Sequence, residues 1–169
     1  MQIYVACLAA YNAGRLHGAW IDVDADADAM GADVAAMLAN SPIPDAEEYA
    51  VHDYDGFPNM GEYPGLDAIA ETAALVELAQ EHGLTADDYV AIAKNWHGDA
   101  ADIREKLTDC FMGVFDRFRD YADEYADDVL LGGVSDDVVR YFDYDAHASD
   151  LAHSYTVIDL ADGVAVFSY

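Results

Sequence analysis

Residues 115–129 read FDRFRDYADEYADDV. The 3.6-residue period predicts a helix here, with Phe115, Phe118, Ala122, Tyr125 and Val129 on one apolar stripe. Asp116, Asp120, Asp123 and Asp127 fall on the opposite face, with Glu124 and Asp128 beside them. The run from Asp116 to Asp128 spans about 18 Å at helical rise, or about one carboxylate per 3 Å. A strand of duplex DNA carries one phosphate per about 3.4 Å of axis, so the linear charge density is similar. An acidic face of this kind also suits an ordinary solvated helix, and the rest of the chain has to decide between the two.

Charge is the chain's outlying property. Its 169 residues hold 34 acids against 7 Lys and Arg, a net charge of -27 at neutral pH. The 54% hydrophobic and 12% aromatic content is ample for a core, which excludes a disordered acidic tail. Such a chain repels itself, nucleic acid and anionic membranes alike; basic proteins, cations or a salty solvent suit it. Asp outnumbers Glu 26 to 8, and Lys94 and Lys106 are the only lysines, the bias of salt-adapted proteins. Abundant Ala beside it also fits a GC-rich genome.

The flanking sequence predicts an α+β fold in three small subdomains. Residues 1–62 read as a sheet with one helix: strands over Gln2–Ala9, Gly18–Val23 and Glu47–Tyr54, and a loop over Tyr11–Gly18. In the third strand Tyr49, Val51 and Asp53 alternate against Ala50 and His52. The helix carries Met30, Val34, Met37 and Leu38, with Asp28 as its cap. Residues 63–108 read as a central cluster of short helices. Leu66, Ile69, Ala73 and Val76 form one stripe, and Leu75 and Leu78 lie off it, as in a helix buried on more than one face. Thr85 caps the next helix, Asn95–Gly98 breaks it, and Asp99 caps a third through Ile103 and Leu107.

Residues 109–169 read as a second sheet with packed helices. A strand over Cys110–Phe115 precedes the opening helix. Short helices follow from Ser135 through Phe142 and over Asp143–His153, the latter turning Tyr144, His147 and Leu151 inward. A hairpin of Tyr155–Leu160 and Val164–Tyr169 turns at Asp162-Gly163.

Chemical motifs are sparse. Asp22, Asp24, Asp26 and Asp28 alternate as in a calcium loop, yet the sixth and twelfth positions hold Ala27 and Asp33 where Gly and Glu are required. His17, His52, His82, His97, His147 and His153 have no zinc spacing, and no phosphate loop, dinucleotide fingerprint or nucleophile elbow occurs. No cofactor or metal is expected. His52, Asp53, Asp55 and Glu62 lie close enough for acid–base work. Cys7 and Cys110 each sit in apolar sequence, as buried thiols do, so no disulfide framework is expected. The N-terminal stretch MQIYVACLAAYNAG lacks a basic n-region, and no apolar run reaches membrane-spanning length, so a cytoplasmic chain is expected.

Three blocks carry a resemblance. IYVACLAAYNAGRLHGAWIDV, residues 3–23, resembles the N-terminus of the ArdA antirestriction family. EEYAVHDYDGFP, residues 47–58, with Gly61-Glu62-Tyr63 after it, is similar to that family's second block, and VVRYFDYDAHASDL, residues 138–151, to its third. Together they cover under a third of the chain, in family order. The resemblance implies an elongated, three-domain homodimer without catalytic activity. It implies a protein that imitates the charge and bend of duplex DNA and fills the DNA-binding groove of type I restriction-modification enzymes. The partner is then the methyltransferase core with its specificity subunit, and neither nucleic acid nor membrane is bound directly. It also places the antirestriction segment near the end of the opening helix and the Tyr141–Asp145 block.

On that reading the contact surface is the C-terminal acids Asp109, Asp116, Asp120, Asp123, Glu124, Asp127, Asp128, Asp136, Asp137, Asp143, Asp145 and Asp150. Asp22, Asp24, Asp26 and Asp28 extend it. Two other readings compete: a salt-adapted structural or adaptor protein, and a small hydrolase using Asp53 or Glu62.

Overall fold

A computed structural model describes residues 1–96 and 99–169. Its contacts separate two units, Met1–Val90 and Ala91–Tyr169. Both combine a small antiparallel sheet with helices, so the chain is α+β.

In the first unit β1 (Gln2–Cys7) lies between β2 (Gly18–Asp22) and β3 (Tyr49–Asp55). Central β1 is paired along both edges, and it buries Ile3, Val5, Ala6 and Cys7 while Gln2 and Tyr4 are half-buried. The expected third-strand alternation fails midway. The register passes from Tyr4↔Asp53 to Val5↔Val51, leaving His52 as the extra residue of a bulge, and Ala50 and Val51 are both buried. Leu8–Asn12 was expected to be strand end and loop; it forms a short helix, α1. These good helix formers bury Ala10, and Gly14 at φ 70° ends the turn.

α2 (Ala27–Ala39) lays Met30, Val34 and Met37 on the sheet. Its cap is Asp26 rather than Asp28: the Asp26 carboxylate accepts from the amides of Asp28 and Ala29, and Asp28 lies in the first turn. α3 (Leu66–Glu81) packs on α2 and buries Leu75 along with Ile69, Ala73 and Val76, so more than one of its faces is covered. Gly83 at φ 79° closes it. Thr85 and Asp88 then form a reciprocal cap for α4 (Ala86–Asn95). Of the break expected after α4, His97 and Gly98 lie outside the described residues.

In the second unit Asp99 and Asp102 make a capping box on α5 (Ala100–Glu105), which runs into a π-helical turn, Lys106–Cys110. The sheet has the order β4-β6-β5, with β4 at Phe111–Phe115, β5 at Tyr155–Leu160 and β6 at Gly163–Ser168. Central β6 buries Ala165, Val166 and Phe167 completely. Phe167 meets Trp96 edge-on at 4.6 Å and Phe111 at 5.2 Å. The hairpin turns at Ala161-Asp162, one residue earlier than expected. Gly163 already pairs with Leu160 at φ 108°, and a Cβ there would lie 2.4 Å from the Phe115 carbonyl oxygen.

The opening helix is shorter than its periodicity suggests. α6 spans Phe118–Tyr125 and a π-helical turn continues over Ala126–Leu130. Phe115 is held in the sheet opposite Val164, so Asp116 lies in a bend before the helix. Tyr121, off the expected stripe, is buried, and Val129, on it, is exposed on the wider π turn. α7 is confined to Asp136–Val139, and single-turn bonds carry the chain to Phe142. α8 spans Tyr144–Leu151, capped by Asp143, and ends in a 3₁₀ turn, Ala152–Ser154. Among the described residues no helix is long and apolar enough to cross a membrane.

Candidate acidic protein-binding surface

The acid-bearing elements of the second unit stand on an aromatic base. Tyr121 is buried among Phe115, Phe118, Tyr125 and Tyr155, with ring centroids 5.1 to 6.3 Å away. Burial pushes its hydroxyl pKa up. The Tyr125 ring stacks on His147 of α8 at 6.2 Å, and Phe142 closes on the same imidazole at 5.5 Å. These contacts hold α6 against α8.

Polar ties run along that contact. Arg119 on α6 donates to Asp123 at 2.6 Å and to Asp145 on α8. The Tyr144 hydroxyl donates to Asp127 at 2.5 Å. This bond favours the neutral phenol, so the Tyr144 pKa is raised. Asp123, Asp127 and Asp145 are thus brought together by side chains that no acidity count reveals. Arg117 grips Asp120 through two nitrogens, at 2.7 and 3.2 Å, and holds that carboxyl below its usual pKa. Arg140 lies 3.7 Å from Asp137.

Asp116, Glu124, Asp128, Asp136 and Asp150 are exposed, and none has a side-chain bond among the described residues. Asp143 is exposed, but its carboxylate accepts from the Ala146 amide as the α8 cap. Asp109 stands apart, on the π-helical turn before β4. In the first unit Asp22 accepts from Gln2 at 2.8 Å, and Asp24 accepts from the Asp26 amide at 2.8 Å. These carboxylates, with Asp26 and Asp28, are exposed and follow one another from the end of β2 into α2.

The arginines are what sequence reading missed. Their signal was present: Arg117–Asp120, Arg119–Asp123 and Asp137–Arg140 all have the three- or four-residue spacing of neighbours on a helix. Asp145 and Tyr144 join the set only through the tertiary contact.

Other candidate chemistry is less assembled. A cavity of about 440 Å³ in the first unit is lined by Leu8, Tyr11, Asn12, His52, Glu62 and Tyr63. Asp53 is not part of that lining; it pairs opposite Tyr4 in the sheet, and its carboxylate accepts from the Tyr54 amide at 2.9 Å. Among the described residues no three His, Cys, Asp or Glu side chains gather as a metal site.

A family model described as Antirestriction protein (ArdA) matches residues 3–166. The chain belongs to the ArdA antirestriction family. Comparison with curated proteins gave no match. The ArdA match also takes in residues 66–108, where the sequence offers helical pattern and acidity but no distinctive block. The three quoted blocks fall on β1 to β2, on β3, and on α7 to α8. The ArdA family is one of inhibitor proteins rather than enzymes.

Proposed function

We propose that this antirestriction protein imitates the charge and shape of duplex DNA. On this reading it occupies the DNA-binding groove of a type I restriction-modification enzyme, on the methyltransferase core and its specificity subunit. It acts as a cytoplasmic homodimer, needs no cofactor, does not itself bind nucleic acid, and protects incoming mobile DNA from restriction. Residues 1–62, 63–108 and 109–169 are its three working subdomains. The contact surface is the C-terminal set of acids, extended by Asp22, Asp24, Asp26 and Asp28.

One observation carries this reading. Arg117 and Arg119 at α6 and Arg140 after α7 are engaged in ion pairs with neighbouring acids, while Asp116, Glu124, Asp128, Asp136 and Asp150 face solvent without a hydrogen bond or ion pair among the described residues. Enzymes that grip DNA do so with Lys and Arg, and much of their affinity comes from ion release. A folded carboxylate array can meet the same basic groove. Phosphate contacts position without specifying, so such an array inhibits enzymes with different target sequences. A prearranged array also loses less entropy on docking than a flexible acidic tail.

The test is a gel competition at low salt between this protein and DNA for a type I methyltransferase core. Displacement that weakens steeply with added salt is expected; failure of excess protein to displace DNA sinks the proposal. A salt-adapted structural protein remains the second reading, favoured by the excess of Asp over Glu across the chain. It predicts folding that requires molar salt and no competition with DNA.

A further inference from the structure

We propose that Arg119 is a positioning residue of the restriction-enzyme-binding surface, an internal cation that sets where the acids of α6 and α8 stand. The inference rests on the DNA-mimic reading. Among the described residues Arg119 is the one arginine whose ion pairs reach two elements: Asp123 is one turn away on α6, and Asp145 belongs to α8, 26 residues along the chain. Arg117 is a natural contrast. It pairs with Asp120 one turn away, links no second element, and is 74% exposed where Arg119 is 35% exposed.

A positive charge in an acidic array has two opposite effects. It subtracts from the total charge that a basic groove attracts. It also holds carboxylates that would otherwise repel each other apart and sample many rotamers. The guanidinium fork can serve two carboxylates at once in fixed geometry, which an ammonium does poorly. The Tyr144–Asp127 bond ties the same two segments a turn further on, so α8 is fixed at two points. Positioning is the larger effect for Arg119, since ordering two carboxylates in advance outweighs one unit of charge far from neutrality. Arg117 orders Asp120 alone, one turn away, so its smaller positioning effect is offset by the charge it subtracts.

The two roles predict opposite signs. The dissociation constant for the methyltransferase core is measured by competition for wild type, Arg119→Met, Arg119→Lys and Arg117→Met. Arg119→Met makes the chain more acidic, yet it is expected to bind about tenfold more weakly. Arg117→Met, with the same charge change, is expected to bind as well as wild type or up to about twofold tighter. Arg119→Lys keeps the charge and loses the fork, and is expected to stay about fivefold weaker.

Titration far above the dissociation constant gives each variant's competent fraction, so partial unfolding alters stoichiometry and leaves the affinity of folded molecules unchanged. If Arg119→Met does not fold, Arg119→Lys decides alone. Wild-type affinity in either Arg119 variant overturns the proposal, as does an equal loss in Arg117→Met. Failure of the wild type to displace DNA instead overturns the DNA-mimic reading on which the proposal rests.

Discussion

Asp116, Glu124, Asp128 and Asp136 supply a direct measure of how the surface works. All four are exposed, and none makes a side-chain bond among the described residues. Changing them together to Asn or Gln removes four charges while leaving caps, ion pairs and core in place. Exposed ion pairs contribute about 0.2–1 kcal/mol each. Salt at physiological strength screens charges beyond about 8 Å, so each acid answers mainly to its nearest cation. A single substitution is then expected to weaken binding by at most about fivefold. The quadruple variant compounds four such losses, to about fourfold at the weak end and about a thousandfold at the strong end. The assay is displacement of DNA from the methyltransferase core at two salt concentrations. The quadruple variant is expected to show a shallower salt dependence than wild type, having fewer charges to screen. Two results refute the reasoning: a quadruple variant that binds as wild type, or one single substitution that accounts for the whole loss. The first means that these elements do not face the partner. The second means a localised contact rather than a distributed array.

Three further predictions concern the scaffold. Phe167 is fully buried between Trp96 and Phe111, so Phe167→Ala is expected to lower stability by about 3–5 kcal/mol in urea unfolding; a loss under about 1 kcal/mol contradicts its central place. Gly163→Ala combines a positive φ with a Cβ 2.4 Å from the Phe115 carbonyl oxygen and is expected to cost at least about 2 kcal/mol; an unchanged melting temperature counts against that close approach. Arg117→Met should return the lowered Asp120 pKa toward the ordinary carboxylate range, as followed by carboxyl-carbon NMR. A carboxyl held low in the folded state stabilises above its unfolded pKa of about 4 and stops doing so as pH falls through its folded value, so the stability gap between wild type and Arg117→Met should close in acid. The same Asp120 titration in both proteins removes that role from Arg117.

The sequence made some features plain and hid others for identifiable reasons. The α+β class, the caps Thr85 and Asp99, and most strand and helix positions follow from local signals, because caps and periodicity act within a few residues. The short helix α1 was hidden because Leu8–Ala10 is apolar enough to read as strand continuation. The bulge at His52 was hidden because a strand's alternation does not reveal how many residues its partner offers. Phe115 fits a helical stripe and a strand edge equally well; pairing with Val164, a tertiary fact, assigns it to the sheet and puts Asp116 outside α6. Of the candidate surface, the acids were legible as residue types. Their grouping around Arg119 was not, since Asp145 approaches Asp123 only when α8 packs on α6.

That grouping changes what the net charge means. Among the described residues no charged side chain is buried, so the mutual repulsion of the acids is felt through solvent and is screened by salt. Added salt is therefore expected to stabilise this fold, whether its acidity serves a habitat or a partner, so only an outright requirement for molar salt, and not a gain in stability with salt, favours the salt-adapted reading. Capture of a basic groove has the opposite sign and weakens as salt rises. A salt-adapted protein has only the first dependence; a DNA mimic has both, and must hold its shape at the low salt where it binds best. Acids scattered for solubility need no fixed spacing. A mimic that binds where its own repulsion is strongest does need internal cations such as Arg119 to keep neighbouring carboxylates in place. On the DNA-mimic reading, the arginines of a chain this acidic are part of the imitation rather than a departure from it.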